Sequence, residues 1–226
     1  MNFDSYTCVS PASFSSVQVA DMQYWTRTNL PLSTGSPASN TSEYNLLQGL
    51  ITAAENQFYK NTDGYVVNSS GWQLPLDYWS MSQYHNPWGV FPIEMLVSGN
   101  FCGVMGHPPM FYLALQPITA VTEIQYLDTT NTWQTLEGWT ADTYNTPARI
   151  NLPTSLPTLS GTQLPRVLIN FTAGNAQGNC PPDIQFAIKV WANSLYENRT
   201  MTKHETSMWE DTCDSYRTNI VGNWNQ

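Results

Sequence analysis

The chain has 226 residues, with eight Lys plus Arg against 17 Asp plus Glu and a formal net charge of −9. Charged residues make up 11% and apolar types 41%, so nearly half of the chain is small or uncharged polar, mostly Ser, Thr, Asn, Gln, Gly and Pro. Eight cations cannot build the basic footprint that phosphate or anionic headgroups require, which excludes an ordinary nucleic-acid binder and a polybasic membrane anchor. No apolar stretch approaches the roughly 20 residues that span a bilayer. Met1-Asn2-Phe3-Asp4-Ser5 shows no basic start and no apolar segment after it, so no Sec-type signal is expected.

In chain order, Val17 to Thr28 is a short helical candidate, followed by Pro31 and a loop-like stretch from Leu32 to Asn40. From about Glu43 to Lys60, Leu47, Leu50, Ile51, Ala54 and Phe58 recur at i, i+3, i+4, i+7 and i+11, one apolar stripe at helical period. Asn40 before Glu43 predicts the capped start, and Asn61-Thr62-Asp63-Gly64 the stop. The texture then becomes β-branched and aromatic. Strands are predicted at Tyr65–Val67, Gly71–Leu74, Phe111–Leu115, Val121–Leu127, Thr132–Leu136 and Arg166–Phe171. Asp128-Thr129-Thr130-Asn131 reads as the turn of a hairpin over Glu123–Leu136. The Pro- and Gly-rich run from His85 to Pro109 reads as a long loop or extension rather than core sheet.

A second helical stripe, from about Pro182 to Arg199, is formed by Ile184, Ala187, Ile188, Trp191 and Leu195. Pro181-Pro182-Asp183 suits its first turn, where a missing N–H costs nothing and a carboxylate meets the positive end of the dipole. A last, more polar helix is predicted over Thr206 to Val221. Neither strong stripe can be buried alone, and they most simply bury each other. The resulting class is α+β: a helical core of about four helices with an antiparallel β region inserted between the second and third. The expected divisions are 1–64 for the N-terminal helices, 65–180 for the β insertion with an extension at about 72–110, 181–200 for the core helix and 201–226 for a tail.

Chemistry finds no foothold in the motifs. His85, His107 and His204 lie in no H-E-x-x-H, no serine lies in G-x-S-x-G, and no Gly-rich loop with Lys is present. Glu94, Glu123 and Glu137 make no spacing argument for a glycosidase pair. Cys8, Cys102, Cys180 and Cys213 lack metal-ligand spacing; buried free thiols are the simpler reading, with three disulfide pairings open. No enzyme activity, cofactor or metal is expected. Trp72, Tyr78, Trp79, Tyr84 and Trp88 form an aromatic-dense run that reads as a protein interface, or as a satellite core under a long loop.

Several segments occur in one collinear series. They are Leu46-Leu47-x-x-Leu50-Ile51-x-Ala53-Ala54, Leu115-Gln116-Pro117-Ile118-Thr119-Ala120-Val121 leading into the hairpin, Asn170-Phe171-Thr172-Ala173-Gly174, Pro181-Pro182-Asp183-Ile184, and Tyr196-Glu197-Asn198-Arg199. Over about Val17 to Thr200 this series resembles the head–tail connector (adaptor or head-completion) proteins of tailed bacteriophages. The resemblance implies a virion protein assembled in the host bacterial cytoplasm. It would form a ring of its own copies, commonly a dodecamer, below the portal protein, and present a surface to a tail or neck protein. DNA would pass through the channel without sequence-specific binding, and no membrane is involved.

In that setting Tyr196, Glu197, Asn198 and Arg199 are candidates for a subunit interface. Met208, Trp209, Tyr216 and Trp224 are candidates for contact with the portal or a neighbour. Asp21, Asp63, Asp183, Glu197, Glu205 and Asp214 are candidates for a DNA-repelling lumen. Two rivals stand beside this reading: a β-rich carbohydrate- or receptor-binding module, which would have no place for a helix at 182–199, and another phage neck or tail-terminator protein.

Overall fold

A computed structural model describes residues 6–27, 32–33, 36–37, 41–79, 110–198 and 201–217. The chain forms two compact units, Met1–Ser10 with Ser70–Ala173 and Pro11–Ser69 with Gly174–Gln226.

The second of these is helical. Among its described residues are four helices, α1 (Val19–Trp25), α2 (Ser42–Asn61), α3 (Pro182–Asn198) and α4 (Lys203–Tyr216). A two-residue pairing of Leu32–Ser33 with Ser36–Pro37 (β2 and β3) lies between α1 and α2. The α2 cap is Thr41 rather than Asn40: its hydroxyl accepts from the Tyr44 N–H at 3.1 Å, placing the start one residue later than Asn40 would. At the other end the Thr62 hydroxyl donates to the Phe58 carbonyl (2.7 Å), and Asp63 and Gly64 turn the chain with positive φ. The last helix begins earlier and ends sooner than its composition predicts, because Thr202 and Glu205 make a reciprocal capping box that fixes its first residue at Lys203.

The apolar stripes meet as their period requires. Leu47, Ile51, Ala54 and Phe58 of α2 and Ile184, Ala187 and Ile188 of α3 are fully buried in one cluster, with Leu50 and Trp191 packed at its margin. Leu195 is half-buried. Val19 and Met22 of α1 and Trp209 and Cys213 of α4 complete the cluster. Each large aliphatic or aromatic side chain removed from water in this way contributes about 1.5–3 kcal/mol. Phe58 stands at the centre, edge-on to Tyr65 (5.9 Å) and to Trp209 (5.7 Å). Tyr65–Val67 is not a strand. It is an irregular buried segment, and Tyr65 and Val67 fill this helical core instead of pairing in a sheet.

The other unit is β. Five antiparallel strands run in the order β1 (Thr7–Ser10), β4 (Ser70–Leu76), β10 (Val167–Ala173), β6 (Ile118–Leu127) and β7 (Trp133–Thr135). A second sheet orders β5 (Met110–Leu113), β9 (Ala148–Asn151) and β8 (Thr140–Asp142). Central β10 alternates strictly: Val167, Ile169, Phe171 and Ala173 are buried, while Leu168, Asn170 and Thr172 are half-exposed. That alternation fixes register, since a one-residue slip would turn four apolar side chains outward. On the half-exposed face Gln73 Nε2 donates to Asn170 Oδ1 across the strands (2.9 Å).

The predicted hairpin forms, pairing Gln125 with Thr135 and Leu127 with Trp133. The Asp128 carboxylate organises its turn, accepting from the Thr130 hydroxyl (2.6 Å) and the Thr130 and Thr132 N–H groups (2.8 and 3.0 Å). These bonds, the Thr130 hydroxyl first, hold its pKa down to about 2. The class is thus α+β with the β region between α2 and α3, and a 17-residue α3 removes the all-β sugar-binding rival.

Within the helical unit the chain on either side of the β region is tied together just before β4 and just after β10. Ser69 N–H donates to the Asn175 carbonyl (2.8 Å), and Asn175 N–H to Val67 (3.2 Å). Gly174 adopts φ +103° there, and a Cβ would lie 2.2 Å from the Asn68 carbonyl oxygen. Gly174→Ala is therefore expected to cost about 3 kcal/mol or more, from strain and overpacking together. Gly49, inside α2, has open space where a Cβ would stand. Gly49→Ala is expected to stabilise by about 0.5–1 kcal/mol. Urea denaturation of the two variants checks the opposite signs.

Candidate assembly surface

Among the described residues no three His, Cys, Asp or Glu side chains are grouped to hold a metal ion, and no helix is long and apolar enough to cross a membrane. The candidate residues group at helix ends. Tyr196, on the last turn of α3, donates its hydroxyl to Glu43 Oε1 in the first turn of α2 at 2.5 Å. The bond to that carboxylate raises the Tyr196 pKa. This contact joins two helices of one chain. Glu197 beside it is exposed, Asn198 ends α3, and Arg199 lies outside the described residues.

The tail candidates separate. Trp209, expected at a contact with another chain, is 3% exposed and lies inside the core, so that expectation is corrected. On α4, Trp209 and Cys213, one turn apart, both face the core, Trp209 against Phe58 and Trp191. Met208 is half-buried. Tyr216 is half-buried too, and its hydroxyl donates to both Asp183 oxygens (2.9 and 2.8 Å). Burial, then that carboxylate, push its pKa up. Trp224 lies outside the described residues.

Arg217, which the sequence reading did not single out, closes this end of the unit. Its Nε and Nη2 donate to the Asn61 carbonyl at 3.3 and 3.1 Å, and it pairs with Asp214 (2.9 Å) and Asp63 (3.6 Å). A guanidinium on the last carbonyl of α2 meets the negative end of that helix's dipole. The signal was a cation in the C-terminal half of the predicted last helix, but only the fold brings Asn61 and Asp63 beside it.

The expected lumen carboxylates are mostly engaged locally. Asp21 pairs with Lys189 at 3.8 Å, Asp63 and Asp214 share Arg217, Asp183 accepts from Tyr216, and Glu205 caps α4. All of these except half-buried Glu205 are exposed, as is Glu197.

The described members of the aromatic run, Trp72, Tyr78 and Trp79, each have their own partners. Trp72 lies in β4, half-buried, with Nε1 donating to Ser70 Oγ (2.8 Å), so 72–76 belong to the sheet rather than to an extension. Tyr78 is 57% exposed under the Arg166 guanidinium, 4.8 Å from its ring centre, a cation–π pair. Trp79 donates to the Pro157 carbonyl (2.9 Å) and packs on Tyr126. Tyr84 and Trp88, with most of the stretch expected as an extension, lie outside the described residues.

Several solved structures are similar in fold, three of which follow. A chain of the neck of an empty gene transfer agent (GTA) particle, computed with C6 symmetry, superposes with a TM-score of 0.67 at 20% identity, covering 96% of this chain and 97% of that one. A chain of the native GTA virion gives 0.63 at 20% identity over 96% and 97%. A chain of the native GTA neck computed with C12 symmetry gives 0.55 at 19% identity over 95% and 98%. The sequence matches no protein-family model and no curated protein. The shared property is the fold, over nearly the whole of both chains.

Cys8 is exposed, whereas Cys180 and Cys213 are buried free thiols pushed up to about 12, chiefly by burial; Cys102 lies outside the described residues. A thiol that ionises near 9.0 when unfolded but near 12 when folded binds its proton more tightly in the native state. Stability is then fully present below that lower value and falls as the pH climbs toward the upper one. Thiol labelling of native protein read by mass spectrometry is expected to modify Cys8 and spare Cys180 and Cys213. Thermal unfolding is expected to show a loss of stability that Cys180→Ser combined with Cys213→Ser reduces.

Proposed function

We propose that this chain is a structural subunit of the neck of a tailed-phage or related particle. It acts as a head–tail connector that forms a ring below the portal, extends the DNA channel and offers the attachment surface for a tail or neck protein. The observation that carries the reading is the fold likeness to a GTA neck chain over 96% of this chain and 97% of that one. The C6 and C12 symmetry with which those necks were computed supports a ring of identical copies, with twelve the expected number. The place of action is the virion, after assembly in the host cytoplasm. The protein works without a cofactor or a reaction of its own.

The charge balance suits a conduit. A ring multiplies the −9 of each copy, and a wall with excess carboxylate repels passing phosphate, whereas a basic wall would hold it by counterion release. Asp183 and Glu197, exposed and in no ion pair among the described residues, are the carboxylates we assign to that field.

Electron cryo-microscopy of assembled particles tests the reading. The expected result is a closed ring of this chain between portal and tail with an acidic bore. Density for this chain at the tail tip or on the capsid surface, or a positively charged bore, contradicts it.

A further inference from the structure

In the helical unit α1 and α3 lie side by side and antiparallel. Asp21 faces Lys189, and one turn along, Trp25 meets Phe186 edge-on with ring centres 5.5 Å apart. This ridge is not covered. Tyr24 is 78% exposed and Phe186 47%. Arg27, just past the helix in a left-handed conformation (φ 54°), is exposed and forms no ion pair among the described residues. Three aromatic rings with an arginine, rimmed by polar groups, is the composition that concentrates binding energy in protein interfaces.

A surface of opposite character lies on α4. That helix turns Trp209 and Cys213 inward and leaves Glu210 and Asp211 exposed, neither of them in an ion pair among the described residues. The two surfaces are on different sides of α3, which sends Phe186 and Lys189 toward α1 and Asp183 and Trp191 toward α4.

Cyclic rings larger than a dimer are closed by heterologous contacts, in which one surface meets a different surface of the next copy. Copies carrying −9 each repel, so the contact that joins them must set a cation against carboxylates and bury apolar area. We propose that the Tyr24–Trp25–Arg27–Phe186 ridge of one copy docks on the α4 face of the next, with Arg27 set against Glu210 and Asp211. The inference rests on the ring reading and specifies which surfaces of the helical unit make the ring.

The test exchanges the charges in the full chain, with circular dichroism as a control for folding. Self-association is read by sedimentation velocity and chemical cross-linking. Arg27→Glu, and separately Glu210→Lys with Asp211→Lys, are each expected to weaken association by about tenfold or more. All three substitutions together are expected to restore it, an outcome that misfolding cannot mimic. Tyr24→Ala is expected to weaken association without recovery in the charge-exchanged background. Rings that form normally in every variant, or a combined variant no better than the single reversals, overturn this contact and leave the ring reading standing. Single copies of the wild-type chain in assembled necks overturn both.

Discussion

The fold depends on one packing event: two amphipathic helices more than a hundred residues apart in sequence bury their apolar faces on each other. Leu47, Ile51, Ala54 and Phe58 lie with Ile184, Ala187 and Ile188 in one buried apolar cluster. Phe58 extends the contact to α4 through Trp209, and Trp209 reaches back to α3 through Trp191 at 5.9 Å. Such aromatic pairs add about 0.5–1.5 kcal/mol each beyond the area they bury. The β region is therefore an excursion that the helical unit must tolerate. The backbone bonds that link Val67 and Ser69 to Asn175 hold the two sides of that excursion together, beside Gly174, where a Cβ would strike the Asn68 carbonyl.

Polar contacts then fix what the apolar core leaves free. Tyr196 with Glu43 and Arg217 with Asn61 pin the two ends of α2, and Tyr216 with Asp183 pins α4 to the start of α3. They are at the surface, where each contributes modestly, and their effect is to set helix directions. A helical unit with fixed directions can present reproducible faces to identical neighbours, which is what a ring requires.

Much of this was legible in the sequence, for identifiable reasons. The α2 and α3 stripes repeat at helical period over about three turns, and few other structures give that pattern. The β6–β7 hairpin was legible because Asp128 and Asn131 supply a turn carboxylate and a residue that accepts φ 60°. Strands β1, β8 and β9 were not legible: they have three or four residues, and β1 is exposed throughout, so no buried alternation marks it. Trp209, a candidate for contact with another chain by its sequence, is buried in the helical core instead. Its burial follows from the packing of α4 against Phe58 and Trp191, which lie far from it in sequence. Arg217 and the Tyr24–Phe186 ridge are products of spatial neighbours that no local spacing announces.

The most direct test of the helix pairing is amide hydrogen exchange resolved by segment. Cooperative packing predicts that 47–58 and 184–195 share one high protection level and open together, with 205–213 following them. Protection of 47–58 that survives while 184–195 exchanges at local-opening rates would show that the two helices do not form one core.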